Sequence, residues 1–186
     1  MANSKKILVT GMSGLIGGIV GKHLASLGHE ISALNRQPVD GVPTTQASIA
    51  DYDAILPAFD GIDTVVHLAA YLGPDDQAQL DINIEGTYNV FKAAGEAGVK
   101  RVIFGSSGAT LMASENYEPY KSFREGRMDD IPEPRPVMMH TDPPHPERMY
   151  GVAKVAGEAM ARLFSENHGS AIAARIGRVH AEDRPM

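Results

Sequence analysis

The chain has 186 residues, 43% of them hydrophobic, which is room for one domain with a sizeable core. Its 17 basic and 23 acidic residues leave a formal charge of -6, so no basic excess exists to neutralise a phosphate backbone and nucleic acid is not the expected partner. There is no cysteine for a disulfide or thiolate metal site, no apolar run of membrane-spanning length, and no secretory leader pattern in MANSKKILVTG, so a soluble cytoplasmic protein is expected.

The first element is KKILVT, a short apolar run bounded by charge and glycine, as in a strand buried on both faces. Small and apolar residues at helical spacing follow over residues 14–27, and Gly28 stops them. HEISALN (29–35) reads as a second strand and TTQAS (44–48) as a short third. Asp51 is placed to cap a brief helix reaching Phe59, and IDTVVHLAA (62–70) is a β-branched fourth strand. Residues 75–98 read as one long helix, KRVIFGSS (100–107) as a strand, 147–168 as a helix and SAIAARIG (170–177) as the last strand. Apolar strands alternating with helices predict a parallel sheet covered on both faces, a doubly wound α/β domain over residues 1–186.

The segment 108–148 departs from this rhythm. It holds seven of the twelve prolines, and Met112, Met128, Met138, Met139 and Met149 lie in or beside it. A loop that long in a compact α/β unit is expected to be a lid, a binding loop or disordered. Its methionines could line an adaptable apolar pocket or simply pack the loop onto the domain.

Two stretches carry chemistry. In VTGMSGLIGG, Gly11, Gly14 and Gly17 fall between the first strand and the first helix. Gly11 allows a tight turn, Gly14 a close approach of backbone to a diphosphate, and Gly17 close packing of helix on sheet. The diphosphate would lie on the open N–H groups of the helix start. At the end of the second strand, ALNRQ puts Asn35 where an acid would hold both ribose hydroxyls, then Arg36. A cation without the acid suits a 2′-phosphate, so NADP is favoured over NAD. The second stretch is ERMYGVAKVAGEAM, where Tyr150 and Lys154 stand one helical turn apart on one face. An ammonium there is expected to lower the phenol's pKa from about 10. His67 is expected to point toward the cofactor cleft; His140, His145 and His180 have no convincing ligand spacing with it, and no metal is expected.

Six motifs in order, TGMSGLIG (10–17), HLAA (67–70), NIEGTYNV (83–90), VIFGSSGA (102–109), YGVAK (150–154) and ARIGRV (174–179), resemble the extended short-chain dehydrogenase/reductases, also called the NAD-dependent epimerase/dehydratase family. The resemblance implies a Rossmann-like sheet of order 3-2-1-4-5-6. It implies Ser107 as the active-site hydroxyl that holds a substrate carbonyl, Tyr150 as acid/base and Lys154 as its partner, also holding the nicotinamide ribose. The dinucleotide would meet Gly11, Ser13, Gly14, Leu15, Ile16 and Gly17, then Asn35 and Arg36, Ser48 and Ile49, and Leu68, Ala69 and Ala70. Asn83, Tyr150 and Lys154 complete that set.

The chain also departs from the family pattern. Ser48 stands where an adenine-contacting Asp is frequent. Gly108 and Ala109 replace the Asp-Glu pair of the 4,6-dehydratases, which argues against dehydration. Arg178 stands where many members have Asn, and is a candidate for an anionic substrate group. Family members continue beyond the RIG strand into a smaller substrate lobe, which is expected to be truncated here.

The resemblance implies an NAD(P)-dependent oxidoreductase acting on a carbonyl or alcohol of a small, sugar-related molecule. The same Ser-Tyr-Lys set would also serve a sugar epimerase, and a cofactor-binding sensor without turnover is the alternative from another class. The partner expected is a small molecule, with neither nucleic acid nor membrane, and a homodimer is left open.

Overall fold

A computed structural model describes residues 4–182. Strand β1 (Lys6–Thr10) leads through a turn into helix α1 (Leu15–Ser26), and β2 (Glu30–Asn35) and β3 (Thr44–Gln46) follow. Asp51 caps α2 (Tyr52–Ile55), its carboxylate accepting the Ala54 N–H at 3.1 Å, and a 3₁₀ stretch continues over Leu56–Phe59. After β4 (Thr64–His67) come the short α3 (Asp76–Ala78), a π-helical stretch over Gln79–Glu85, and α4 (Gly86–Glu96). Strand β5 (Arg101–Ser107), the insertion with α5 (Tyr120–Glu125), α6 (Met149–Asn167) and β6 (Ser170–Ile176) complete the chain.

All six strands are parallel in one sheet of order 3-2-1-4-5-6, as the sequence leads one to expect. Alternate side chains of each strand leave on opposite faces, and two cores result. Leu8, Leu34, Val65, Val102 and Phe104 pack with Val90 and Phe91 of α4 and Phe164 of α6. Ile7, Val9, Ala33 and Val66 pack on the other face with Val20 and Leu24 of α1. Fully burying one such aliphatic side chain is worth ~1.5–3 kcal/mol.

The helix read as continuous over 75–98 is interrupted by the π stretch. There Gln79 and Asn83 point inward and bind backbone. Asn83 Oδ1 accepts the Tyr71 N–H at 2.7 Å, its Nδ2 donates to the Tyr71 carbonyl at 2.8 Å, and Gln79 Nε2 donates to the Gly73 carbonyl at 2.8 Å. Four residues apart, the two amides share one helix face and hold the loop after β4, and hydrophobic periodicity carries no trace of the π stretch.

The insertion is folded back on itself. The His145 N–H donates to the Thr110 carbonyl at 2.8 Å, the Ala113 N–H donates to the His145 carbonyl at 2.9 Å, and the Tyr117 ring stacks on His145. Arg127 pairs with Glu118, Glu125 and Asp130. Residues 131–148 have neither helix nor strand. A broad-specificity protease is therefore expected to make its first cut between residues 131 and 144, where neither helix nor strand holds the exposed backbone. A first cut inside β5 or α6 would contradict this.

Candidate functional site

The C-terminal ends of the strands open onto a cleft of about 760 Å³. One wall is the turn after β1. Gly11 has φ +71°, and a Cβ there would lie 2.7 Å from the Ala69 backbone nitrogen. A Cβ on Gly17 would lie 2.4 Å from the Gly11 carbonyl oxygen. Only glycine permits this approach of helix, turn and neighbouring strand. Gly14 is the N-cap of α1 and contributes no side chain, so among the described residues no side chain caps the first N–H groups of the helix, and Leu15, Ile16 and Gly17 line the cleft.

The adenosine-side candidates line the same space: Ser13, Leu15, Ile16, Asn35, Arg36, Ser48 and Ile49. Asn35 is held from both sides, its Oδ1 accepting from Ser13 Oγ at 3.3 Å and its Nδ2 donating to the Gln37 carbonyl at 2.8 Å. Arg36 is exposed and has no acidic partner among the described residues. Arg36 and Lys154 are the two charged groups of the cleft lining; no carboxylate lines it among the described residues. In a chain of net charge -6 this is a locally cationic site.

The opposite wall carries Ser107, Tyr150 and Lys154. Helix α6 is laid on the end of β5 by three side chains one turn apart. Tyr150 stands beside Ser107, Lys154 Nζ donates to the Gly105 carbonyl at 2.7 Å, and Glu158 accepts from Ser106 Oγ at 2.6 Å. Arg175 of β6 grips the same Glu158 with two bonds of 2.8 Å. Sequence reading passed over Glu158 and Arg175; their spacing from Lys154 and their strand register were the available signals.

The protonation of this wall differs from the expectation. Burial raises the Tyr150 hydroxyl above its usual value, and the neighbouring Ser107 hydroxyl opposes that rise. The Lys154 ammonium stands off from it: Nζ sits 5.5 Å from the Tyr150 ring centroid and gives one of its three N–H groups to the Gly105 carbonyl. Lys154 itself is 4% exposed, and burial pushes it down to about 8. An unfolded lysine keeps its proton up to about 10.5, so between about 8 and that value the unfolded chain binds more protons and stability rises with pH. Urea unfolding at pH 8 and pH 10 is expected to show wild type gaining stability relative to Lys154→Met. A difference that stays flat would contradict the burial of a charged amine.

Two further candidates lie away from the cleft surface. Asn83 is buried behind the Tyr71–Gly73 loop with its amide engaged, so it shapes the cleft rather than lining it. Arg178 is exposed and outside the lining. His67 does not point into the cleft either; it is 1% exposed, between Thr10 and Thr87, and burial pushes its pKa down to about 3, with the Lys154 charge adding to the effect. The strand's alternation turns it toward α4 instead. The methionines of the insertion do not line the cleft; Met112, Met128 and Met139 are exposed. Tyr71, Leu72 and Val179, which sequence reading did not single out, do line it. Among the described residues no group of three or more His, Asp or Glu is placed to hold a metal ion, and no helix is long and apolar enough to cross a membrane.

The sheet order, the glycine turn and the Ser-Tyr-Lys wall together define a Rossmann-like domain of the extended short-chain dehydrogenase/reductase type. The chain belongs to the NAD dependent epimerase/dehydratase family, whose profile matches residues 7–185. L-Arabinose 1-dehydrogenase (NAD(P)(+)) of Haloferax volcanii is 33% identical over 166 residues, covering 88% of this chain and 63% of that protein. NAD-dependent glucose-6-phosphate dehydrogenase of the same organism is 30% identical over 195 residues, covering 96% of this chain and 70% of that protein. Among solved structures, a short-chain dehydrogenase/reductase superfamily protein from Agrobacterium tumefaciens with bound NAD superposes with a TM-score of 0.73 at 27% identity. That match covers 91% of this chain and 48% of the other. The chain thus spans between about half and 70% of the length of these relatives.

Proposed function

We propose that the chain is the dinucleotide-binding and catalytic part of an NAD(P)-dependent oxidoreductase acting on a carbonyl or alcohol of a small sugar. The observation that carries this reading is the Ser107–Tyr150 pair, set in a cleft whose far wall is the glycine turn. The residues present fit a dinucleotide. Gly11 and Gly17 leave a backbone cradle that side chains would fill, the start of α1 offers N–H groups that no side chain caps among the described residues, and the lining bears cations without carboxylates. The two curated relatives above are dehydrogenases of sugars by name, which supports oxidation or reduction of a sugar.

When bound, the nicotinamide supplies the hydride acceptor or donor. Ser107 orients the reacting oxygen through its hydroxyl. Tyr150 takes the proton from that oxygen on oxidation and returns it on reduction. Lys154 carries positive charge on the same helix face and anchors that face to Gly105. A raised Tyr150 pKa makes the resting residue a proton donor at neutral pH, so reduction needs no prior ionisation while oxidation calls for the phenolate. The test is absorbance at 340 nm with NADP⁺ or NADPH against a panel of aldoses and lactones. Turnover that disappears in Tyr150→Phe supports the reading, and turnover untouched by that change overturns it.

Cofactor choice follows from the end of β2. Arg36, exposed and without an acidic partner among the described residues, with Asn35 in place of an acid, favours NADP(H) over NAD(H). Calorimetry is expected to show tighter NADPH binding, and Arg36→Ala to weaken NADPH about tenfold or more with NADH little changed. Equal affinities in the wild type would overturn this preference.

A further inference from the structure

Thr10, His67 and Thr87 form a buried chain that the chemistry above does not use. Thr10 is 0% exposed, His67 1% and Thr87 2%. Thr10 Oγ1 accepts the Ala69 N–H at 3.1 Å and shares the Leu68 N–H, also at 3.1 Å, with the Thr10 backbone carbonyl, which that N–H meets at 3.2 Å. A hydroxyl has two lone pairs and one proton. With both lone pairs facing N–H groups, the proton is left for His67 Nδ1, 2.7 Å away. An N–H on Nδ1 would crowd a third donor onto an oxygen that two N–H groups already face. The arrangement therefore favours a proton on Nε2 of His67, donated to Thr87 Oγ1 of α4 at 3.2 Å.

The chain of bonds ends at the cleft. Thr10 immediately precedes Gly11, and Leu68 and Ala69 line the cleft beside it. The Ala69 nitrogen is the atom a Cβ on Gly11 would strike. Thr10 thus sets the spacing between two strips of backbone that floor the cleft, His67 sets the orientation of the Thr10 hydroxyl, and α4 holds His67. The ring also rests against Phe104 of β5, with centroids 5.7 Å apart.

We propose that His67 is a positioning residue for the dinucleotide, held neutral as the Nε2–H tautomer, which fixes Thr10 as acceptor for Leu68 and Ala69 and so shapes the cleft floor. The role rests on the dinucleotide reading of the cleft, but the tautomer does not. Long-range ¹H–¹⁵N correlation on the full chain at neutral pH is expected to show protonated Nε2 and unprotonated Nδ1 for His67. A proton on Nδ1, or on both nitrogens, would overturn the proposal whatever the cleft binds. Calorimetry with NADPH supplies the second arm. His67→Gln keeps an acceptor and a donor on a neutral side chain and is expected to retain most of the affinity. His67→Leu orphans the Thr10 hydroxyl and is expected to bind NADPH about tenfold or more weakly while circular dichroism still shows a folded chain. A folded His67→Leu that binds NADPH as wild type does overturns the positioning role and leaves a merely structural histidine. Should His67→Leu fail to fold, Thr87→Val removes the acceptor of the same chain and is read against the same two outcomes. Absence of NADPH and NADH binding in the wild type would overturn the cleft reading itself, which normal binding in the variants would not.

Discussion

Tyr150→Phe is expected to lower turnover by ~10²–10⁴-fold, the range of a lost general acid or base, while dinucleotide affinity stays nearly unchanged. The ring and its packing at the start of α6 remain, and only the transferable proton goes. The phenol stands beside Ser107 in a partly buried wall, and the Ser107 hydroxyl keeps the Ala109 N–H at 3.2 Å when the phenol's oxygen is removed. Steady-state rates with a reactive sugar and saturating cofactor check the first half, and calorimetry the second. Retained turnover would return Tyr150 and Lys154 to the status of an ordinary pair on one helix face.

Gly11→Ala carries the second large effect. At φ +71° an L side chain costs ~1–3 kcal/mol in strain, and the new Cβ would stand 2.7 Å from the Ala69 backbone nitrogen, which cannot swing aside as a flexible side chain would. Overpacking adds ~1–3 kcal/mol, so the sum is a large share of the ~5–15 kcal/mol that holds a domain folded. Gly28 supplies the control. Its φ is +86°, but nothing lies within 4 Å of the added Cβ, and it is at the far end of α1. Gly28→Ala is expected to lower the denaturant midpoint modestly and keep dinucleotide affinity; Gly11→Ala is expected to lose most of both. Similar affinities for the two variants would contradict the close contact between turn and floor.

The sheet and most of the cleft were legible because they rest on local patterns. β-branched and apolar runs between glycines gave the strands, and the spacing of Gly11, Gly14 and Gly17 gave the turn, with Asp51 marking a cap. What was not legible depends on partners distant in sequence. His67 was expected in the cleft, yet the alternation of β4 and the hydroxyls of Thr10 and Thr87, 57 and 20 residues away, hold it inside. The effect of Lys154 on Tyr150 was inferred from spacing, but the Gly105 carbonyl, 49 residues off, takes one of its N–H groups and burial sets the phenol's direction. The π stretch has no periodic signature, so the clamp that Gln79 and Asn83 place on the Tyr71–Gly73 loop was hidden inside a helix read as regular.

The most direct measurement is a calorimetric titration of the unaltered chain with NADPH and with NADH. One equivalent of dinucleotide bound, with NADPH the tighter, is the result this account predicts. Absence of binding by either would contradict it, since the glycine turn, the uncapped start of α1 and the cationic lining would then serve some other ligand.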